Sequence, residues 1–176
     1  RSLKRAKLAI DDGTFKKEIA PVTVRTRKGD TIVNIDEQPG NALPEKIPTL
    51  RAAFAKDGSV TAANSSSISD GAAALILMRK SEAEKRKLSP LAIIHAHASH
   101  AQEPQWFTTA PIGAIKKVLN KADWAKDDVD LYEINEAFAV VTMAAMHDLD
   151  LSPDKVNVHG GACALGHPVG ASGARI

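Results

Sequence analysis

The feature that most constrains this chain is the alternation of apolar extended runs with helical patterns from residue 70 onward. Gly71 to Met78 is a continuous apolar run, and Ser81-Glu82-Ala83-Glu84-Lys85 then opens a charged helix. After Pro90, residues 91–98 predict a strand, 110–123 a helix, 129–134 a strand, 136–148 a helix, 156–158 a strand, and 170 onward a helix. Strands alternating with helices over short links imply right-handed crossovers and mostly parallel pairing, an α/β architecture with the 71–78 strand buried. In such sheets ligand sites collect at the carboxyl ends of the strands. Two junctions there are polar: Asn135-Glu136, and the Gly-rich loop after Val156-Asn157-Val158.

The first 66 residues have a different texture. They hold four of the nine prolines and four of the eleven glycines, and turn signals such as Asp12-Gly13, Lys28-Gly29 and Asp57-Gly58 break them up. Residues 1–10 predict a basic helix with Leu3, Ala6 and Ile10 on one face. Residues 21–24 and 31–33 predict short strands of an excursion or lid.

Composition narrows the function classes. A formal net charge of +2 leaves no basic footprint for neutralising nucleic-acid phosphates. A single Cys excludes both a disulfide framework and a Cys-rich zinc site. No apolar run approaches the ~18–20 residues that span a bilayer, and no apolar stretch follows Arg1-Ser2-Leu3-Lys4-Arg5 as in a signal peptide. The expectation is a soluble, cytoplasmic protein without a membrane or nucleic-acid partner. A first residue other than Met, and a helix pattern that stops one turn after Gly170, lead us to expect a piece of a longer protein.

The loop from His159 to Gly170 places Gly161 and Gly166 at the spacing of the phosphate loop GxxxxGK[ST]. His167 and Pro168 stand where the Lys and the hydroxyl residue would be, so this is not a nucleoside-triphosphate site. The loop can instead present His167, held between Gly and Pro, at a strand's carboxyl end; a plain connecting turn is the alternative. Asn135 is either a helix N-cap or a fixed amide able to hold a water or an oxyanion. His95, His97 and His100 are packed or solvated histidines, or a weak metal string. Cys163 is a small buried hydrophobe or a nucleophile. Asn64 to Gly71 is a turn of short hydroxyl and amide side chains, and Trp106, Phe107 and Phe138 are core or pocket wall.

Together these pieces resemble the thiolase family. Asn135-Glu136-Ala137-Phe138-Ala139 is similar to the family's NEAFA motif. Residues 157–175 are similar to NxxGGAxALGHPxGxSGxR, and 64–74 to NASxxNDGAAA. The resemblance implies a partial thiolase-like fold around a mixed sheet. Residues 1–68 would belong to a CoA-binding loop domain, 69–88 would be the last strand and helix of the amino-terminal domain, and 89–176 an incomplete carboxyl-terminal domain. It implies acyl transfer to or from CoA, forming acetoacetyl-CoA or cleaving 3-ketoacyl-CoA through an acyl-cysteine. CoA and acyl-CoA would be substrates, with no separate cofactor and no metal, in a homodimer or homotetramer serving fatty acid metabolism.

Carried over by residue, His167 activates the nucleophilic Cys and, with a water held by Asn135, forms an oxyanion hole. Ser66 contacts the pantetheine arm, and Phe54, Ala137 and Phe138 line the tunnel and acyl pocket. Phe107 stands in a Trp106–Pro111 stretch where many relatives carry Met-Gly-x-Gly-Pro, and it reshapes the pocket. Gln38-Pro39-Gly40-Asn41 follows Asp36-Glu37 where relatives often place an adenine-stacking Arg. The resemblance puts both catalytic cysteines at positions with no counterpart here; Cys163 matches neither. The chain alone is therefore expected to be inactive, with an exposed apolar face. The alternative is a thiolase-like protein that binds acyl-CoA or lipid without turnover.

Overall fold

A computed structural model describes residues 1–176. It opens with α1 (Ser2–Asp11), whose buried Ala6 and Ala9 seat it on the carboxyl-terminal loop. Arg5 fastens it there: its guanidinium donates to the carbonyls of Val156, 2.7 Å, and Pro153, 3.0 Å. The predicted short strands form β1 (Val22–Thr26) and β2 (Gly29–Val33), an antiparallel hairpin whose ten residues are all exposed. The one-turn helix α2 (Gln38–Asn41) and α3 (Lys80–Lys85) follow.

The helices predicted over 110–123 and 136–148 are α4 (Ala110–Ala122) and α5 (Ala139–Leu149). Pro111 suits the first turn of α4, where a missing N–H costs nothing. Asp123 and Asp150 close α4 and α5 in the left-handed conformation that a short polar side chain tolerates. Two single-turn helices, α6 (Ala162–Leu165) and α7 (Ser172–Arg175), complete the chain. The core lies between α4, α5 and the extended segments beside them: Ile112, Tyr132, Ile134, Val141, Ala145, Leu151 and Val156 pack together.

The predicted parallel sheet is reduced to one element of its ladder. Tyr132 and Val156 form a parallel bridge, with the Tyr132 N–H donating to Lys155 and the Asn157 N–H to Tyr132, at 2.8 and 2.9 Å. The strands expected at 71–78 and 91–98 are not formed, and no backbone–backbone hydrogen bond involves either run. The expectation that 71–78 is buried is also corrected: Leu75 is 63% and Ile76 89% exposed. The physical reason is the same for both. An apolar run favours extended backbone, but a strand exists only when a neighbour takes up its N–H and C=O groups, and none lies alongside.

Candidate active site

The bridge at Tyr132 and Val156 brings the two polar junctions together. Just beyond it, Asn157 is buried and holds φ +48°, a left-handed conformation that Asn tolerates better than most residues. Its side-chain amide does the work of a missing ladder rung. Oδ1 accepts from the Ile134 N–H at 2.8 Å, and Nδ2 donates to the Ile134 carbonyl at 2.8 Å and to Glu136 Oε1 at 3.0 Å. Both peptide groups of the residue before Asn135 are thereby fixed.

Glu136 is the second tie. Its carboxylate is buried and accepts from the Ser2 hydroxyl at 2.7 Å, from Asn157 Nδ2, and from the Cys163 N–H at 3.3 Å. A charge taken out of water is tolerated when donors surround it. Here those donors come from α1, from the 157 junction and from the start of α6. Gly161 is required for this approach, because a Cβ there would overlap the Glu136 carboxylate.

The Gly-rich loop is seated from the other side by the hydroxyl run. The His167 N–H donates to the Ser67 carbonyl at 3.1 Å, and Ser67 and Ser69 share a 2.7 Å hydrogen bond. Gly166 passes over these two serines at φ +81°, where a Cβ would meet both hydroxyls. The run before residue 71 is thus the seat of the His167 loop rather than a plain turn. Ser66 is turned the other way, donating its N–H and its hydroxyl to the Ala137 carbonyl, each at 3.0 Å.

These supports place Asn135 Nδ2 3.2 Å from His167 Nε2. Asn135 is not a helix cap: α5 starts four residues later, with Phe138 at its N-cap position. A cleft of about 270 Å³ reaches Asn135, though not His167, and is lined by Phe107, Pro111, Ala114, Ala137 and Val141 among others. Phe107, on its wall, meets Phe138 edge to face, centroids 6.1 Å apart. Burial pushes the carboxyl of Glu133, also on the cleft, upward, against the pull of Arg175 and His159. Of the sequence-derived candidates, the fold gathers Asn135, His167, Ala137, Phe138, Phe107 and Ser66. Phe54 stands apart, 80% exposed.

The other candidates fall into place without chemistry. Burial pushes the Cys163 thiol up to about 12, aided by the charge of Glu136, and its Sγ–H points at the Glu136 carbonyl; it is a neutral packing group. His95 lies against Trp124, and His100 packs on Gly113. No three His, Cys, Asp or Glu groups converge as a metal site would require. A larger cleft of about 360 Å³ between residues 93–96, α4 and 129–133 is mostly apolar. No helix is long and apolar enough to cross a membrane.

Sequence reasoning missed Glu136, Asn157 and Ser172, which hold the pair rather than face the cleft. Each stood inside a recognised motif. The signal available was that a buried carboxylate or amide beside a functional junction has to be satisfied by its neighbours.

A strand-end amide and a Gly-held histidine meet here, and comparison with known proteins gives the family in which that pair occurs. Residues 88–176 match the family described as thiolase, C-terminal domain, and residues 1–81 match thiolase, N-terminal domain. The chain is 52% identical to the cytosolic acetyl-CoA acetyltransferase of Mus musculus and 47% identical to the acetyl-CoA acetyltransferase of Paracoccus denitrificans. In both cases the match takes in 99% of this chain and 45% of the relative. Among solved structures, the Bacillus anthracis acetyl-CoA acetyltransferase superposes with a TM-score of 0.95 at 43% identity, again over 99% of this chain and 45% of that one. The Acat5 thiolase of Ascaris suum, solved in complex with coenzyme A, gives a TM-score of 0.91 at 43% identity, over 99% and 44%. This chain belongs to the thiolase family, and it spans about 45% of the length of the relatives it matches.

Proposed function

We propose that this chain supplies the oxyanion-stabilising part of a thiolase site, serving acyl transfer to or from CoA through an acyl-cysteine. Acetoacetyl-CoA formation and thiolytic cleavage of 3-ketoacyl-CoA are the two directions of that chemistry. The observation that carries the reading is the contact of His167 Nε2 with Nδ2 of Asn135, 3.2 Å, Asn135 itself lining an apolar cleft. When a thioester carbonyl loses an α-proton or is attacked, negative charge grows on its oxygen. Donors already aimed at that point, on rigid elements, stabilise it by about 3–4 kcal/mol each. Asn157, Glu136 and the Ser67 carbonyl supply that rigidity here.

Ala137 and Phe138 line the acyl and pantetheine path in this reading, with Ser66 and Phe54 along the pantetheine arm. Phe107, edge-on to Phe138, reshapes the acyl end of the pocket in this reading. Residues 1–68 form part of the CoA-binding loop domain, 69–88 the end of the first thiolase domain, and 89–176 part of the second. The working protein is a homo-oligomer in this reading, and a cytoplasmic one, a location that the cytosolic relatives of mouse and rat support.

The only cysteine, Cys163, is a protonated packing group, so the nucleophile is not among these residues. The 176-residue polypeptide is therefore expected to bind CoA thioesters in ligand-observed NMR and to show no cleavage of acetoacetyl-CoA. CoA-dependent cleavage by the pure polypeptide would overturn the assignment. In a protein that joins this chain to a nucleophile-bearing segment, Asn135→Ala and His167→Ala should each lower kcat by about 10²–10³. A protein that only binds acyl-CoA would show no turnover to lose.

A further inference from the structure

His167 has a second contact that the oxyanion reading does not use. Its Nδ1 lies 2.7 Å from the hydroxyl of Ser172, and Ser172 is itself buried. The same hydroxyl is 3.2 Å from the Pro168 carbonyl, which can only accept. A hydroxyl has one proton to give, so directing it at Pro168 leaves Ser172 Oγ to accept from the ring. On the far side of the ring, Nε2 faces Asn135 Nδ2, an amide nitrogen that can only donate. Two independent neighbours thus ask for the same arrangement: a proton on Nδ1 and a lone pair on Nε2.

We propose that Ser172 is a positioning residue that fixes the Nδ1–H tautomer of His167 and so makes Nε2 its working nitrogen. This deepens the thiolase reading and rests on it for its catalytic meaning, but not for its test. A neutral histidine ring left to itself favours the proton on Nε2, and the hydrogen bond at the other nitrogen overrides that preference. With Nδ1–H tied to Ser172, Nε2 enters the cycle as a base. Its lone pair takes the proton of a thiol, the S–H bond breaks, an N–H bond forms, and a thiolate and an imidazolium result. The Nδ1–H···Ser172 bond is unchanged by that step. Nε2–H then faces Asn135 Nδ2 as a second donor, so neither can bond the other and both are left to an oxyanion between them. One fixed ring thereby serves as base first and donor second.

Side-chain ¹⁵N NMR of the 176-residue protein, at a pH where the ring is neutral, tests this without turnover. The His167 signals are identified by their loss in His167→Gln. Wild type should show a pyrrole-like Nδ1 and a pyridine-like Nε2. Ser172→Ala should lose that preference and move toward Nε2–H, while Ser172→Thr, which keeps the hydroxyl, should retain the wild-type pattern. Amide spectra of each variant report whether the fold is intact. An Nε2–H ring in the wild type, or an unchanged pattern in a folded Ser172→Ala, overturns the proposal. If Ser172→Ala fails to fold, the wild-type and Ser172→Thr spectra still decide: Nε2–H in either one overturns it. A confirmed tautomer in a protein that binds no CoA thioester would leave this inference standing and remove the functional reading instead.

Discussion

Residues 129–172 and residues 68–100 are both built from apolar extended runs beside helices, yet one is packed and the other is bare. In the first, Val156 is fully buried and each junction is tied to another element by a side chain. In the second, Ile68, Ile76 and Leu91 face solvent, and residues 71–78 and 91–98 make no backbone–backbone hydrogen bond. The difference is not hydrophobicity. Tyr132 has Val156 beside it, and Ile76 has no strand beside it. An apolar run fixes how the backbone extends; only a neighbour makes it a strand.

The sharpest way to break this contrast is to remove the tie that stands in for the ladder. Asn157→Ala strands the Ile134 N–H, leaves its C=O only the 3.4 Å bond from the Thr142 hydroxyl, and takes one donor from Glu136, all in a buried site. Each buried group left without a partner costs about 1–3 kcal/mol, and Ala at φ +48° adds strain. Urea unfolding should show a loss of about 3 kcal/mol or more. The Asn135 to His167 contact should loosen with it, visible as shifts in the His167 ring signals. A loss under about 1 kcal/mol would mean that packing, not the Asn157 amide, holds the junction.

Thiol reactivity probes the same contrast at single residues. Cys163 titrates at about 12 against 9.0 for a free thiol, chiefly through burial. Only the thiolate reacts, so native alkylation by iodoacetamide at mild alkaline pH should be at least about a hundredfold slower than for a free cysteine. A cysteine placed in the bare run, Ile76→Cys in a Cys163→Ala background, should react at nearly the free rate. The sign of the linkage follows. Between pH 9 and 12 the native state holds a proton that the unfolded state has released, so stability falls as pH rises through that window. Cys163→Ala should flatten that alkaline decline.

Gly161 tests how tightly the packed region is drawn. A Cβ there meets the Glu136 carboxylate, which three donors hold in place and which therefore cannot step aside cheaply. Gly161→Ala should cost about 2 kcal/mol. Gly170→Ala, five residues beyond α6 with no atom near its Cβ position, should be neutral within about 0.5 kcal/mol. Equal effects would show that the loop as a whole is compliant.

What the sequence made legible, and what it did not, divides along the same line. α1, α4, α5 and the β1–β2 hairpin were visible because each is decided by periodicity and turn residues within its own span. Asn135 and His167 were visible because a polar residue at a strand end and a histidine between Gly and Pro are locally conspicuous. Glu136, Asn157 and Ser172 were not, because their partners lie five to 134 residues away and only folding puts them in reach. The bareness of 71–78 was legible only in part: an exposed apolar face was expected of the chain, but an apolar run carries no mark saying which stretch will lack a neighbour.

The smallest expected effect is therefore the most telling about the bare region. Ile76 is 89% exposed and makes no backbone–backbone hydrogen bond, so Ile76→Lys removes little buried surface and breaks no hydrogen bond. It should change unfolding free energy by less than about 0.5 kcal/mol, whereas Val141→Ala, in the core between α4 and α5, should cost about 1–3 kcal/mol through lost burial and the cavity left. Association should respond in the opposite order. Exposed apolar runs with free strand edges recruit other chains, and a charge on such an edge blocks them. Sedimentation at rising concentration should show Ile76→Lys self-associating less than the wild type, with Val141→Ala associating no less than it. If Ile76→Lys instead unfolds the protein, residues 71–78 are packed in solution, and the contrast between the two regions disappears.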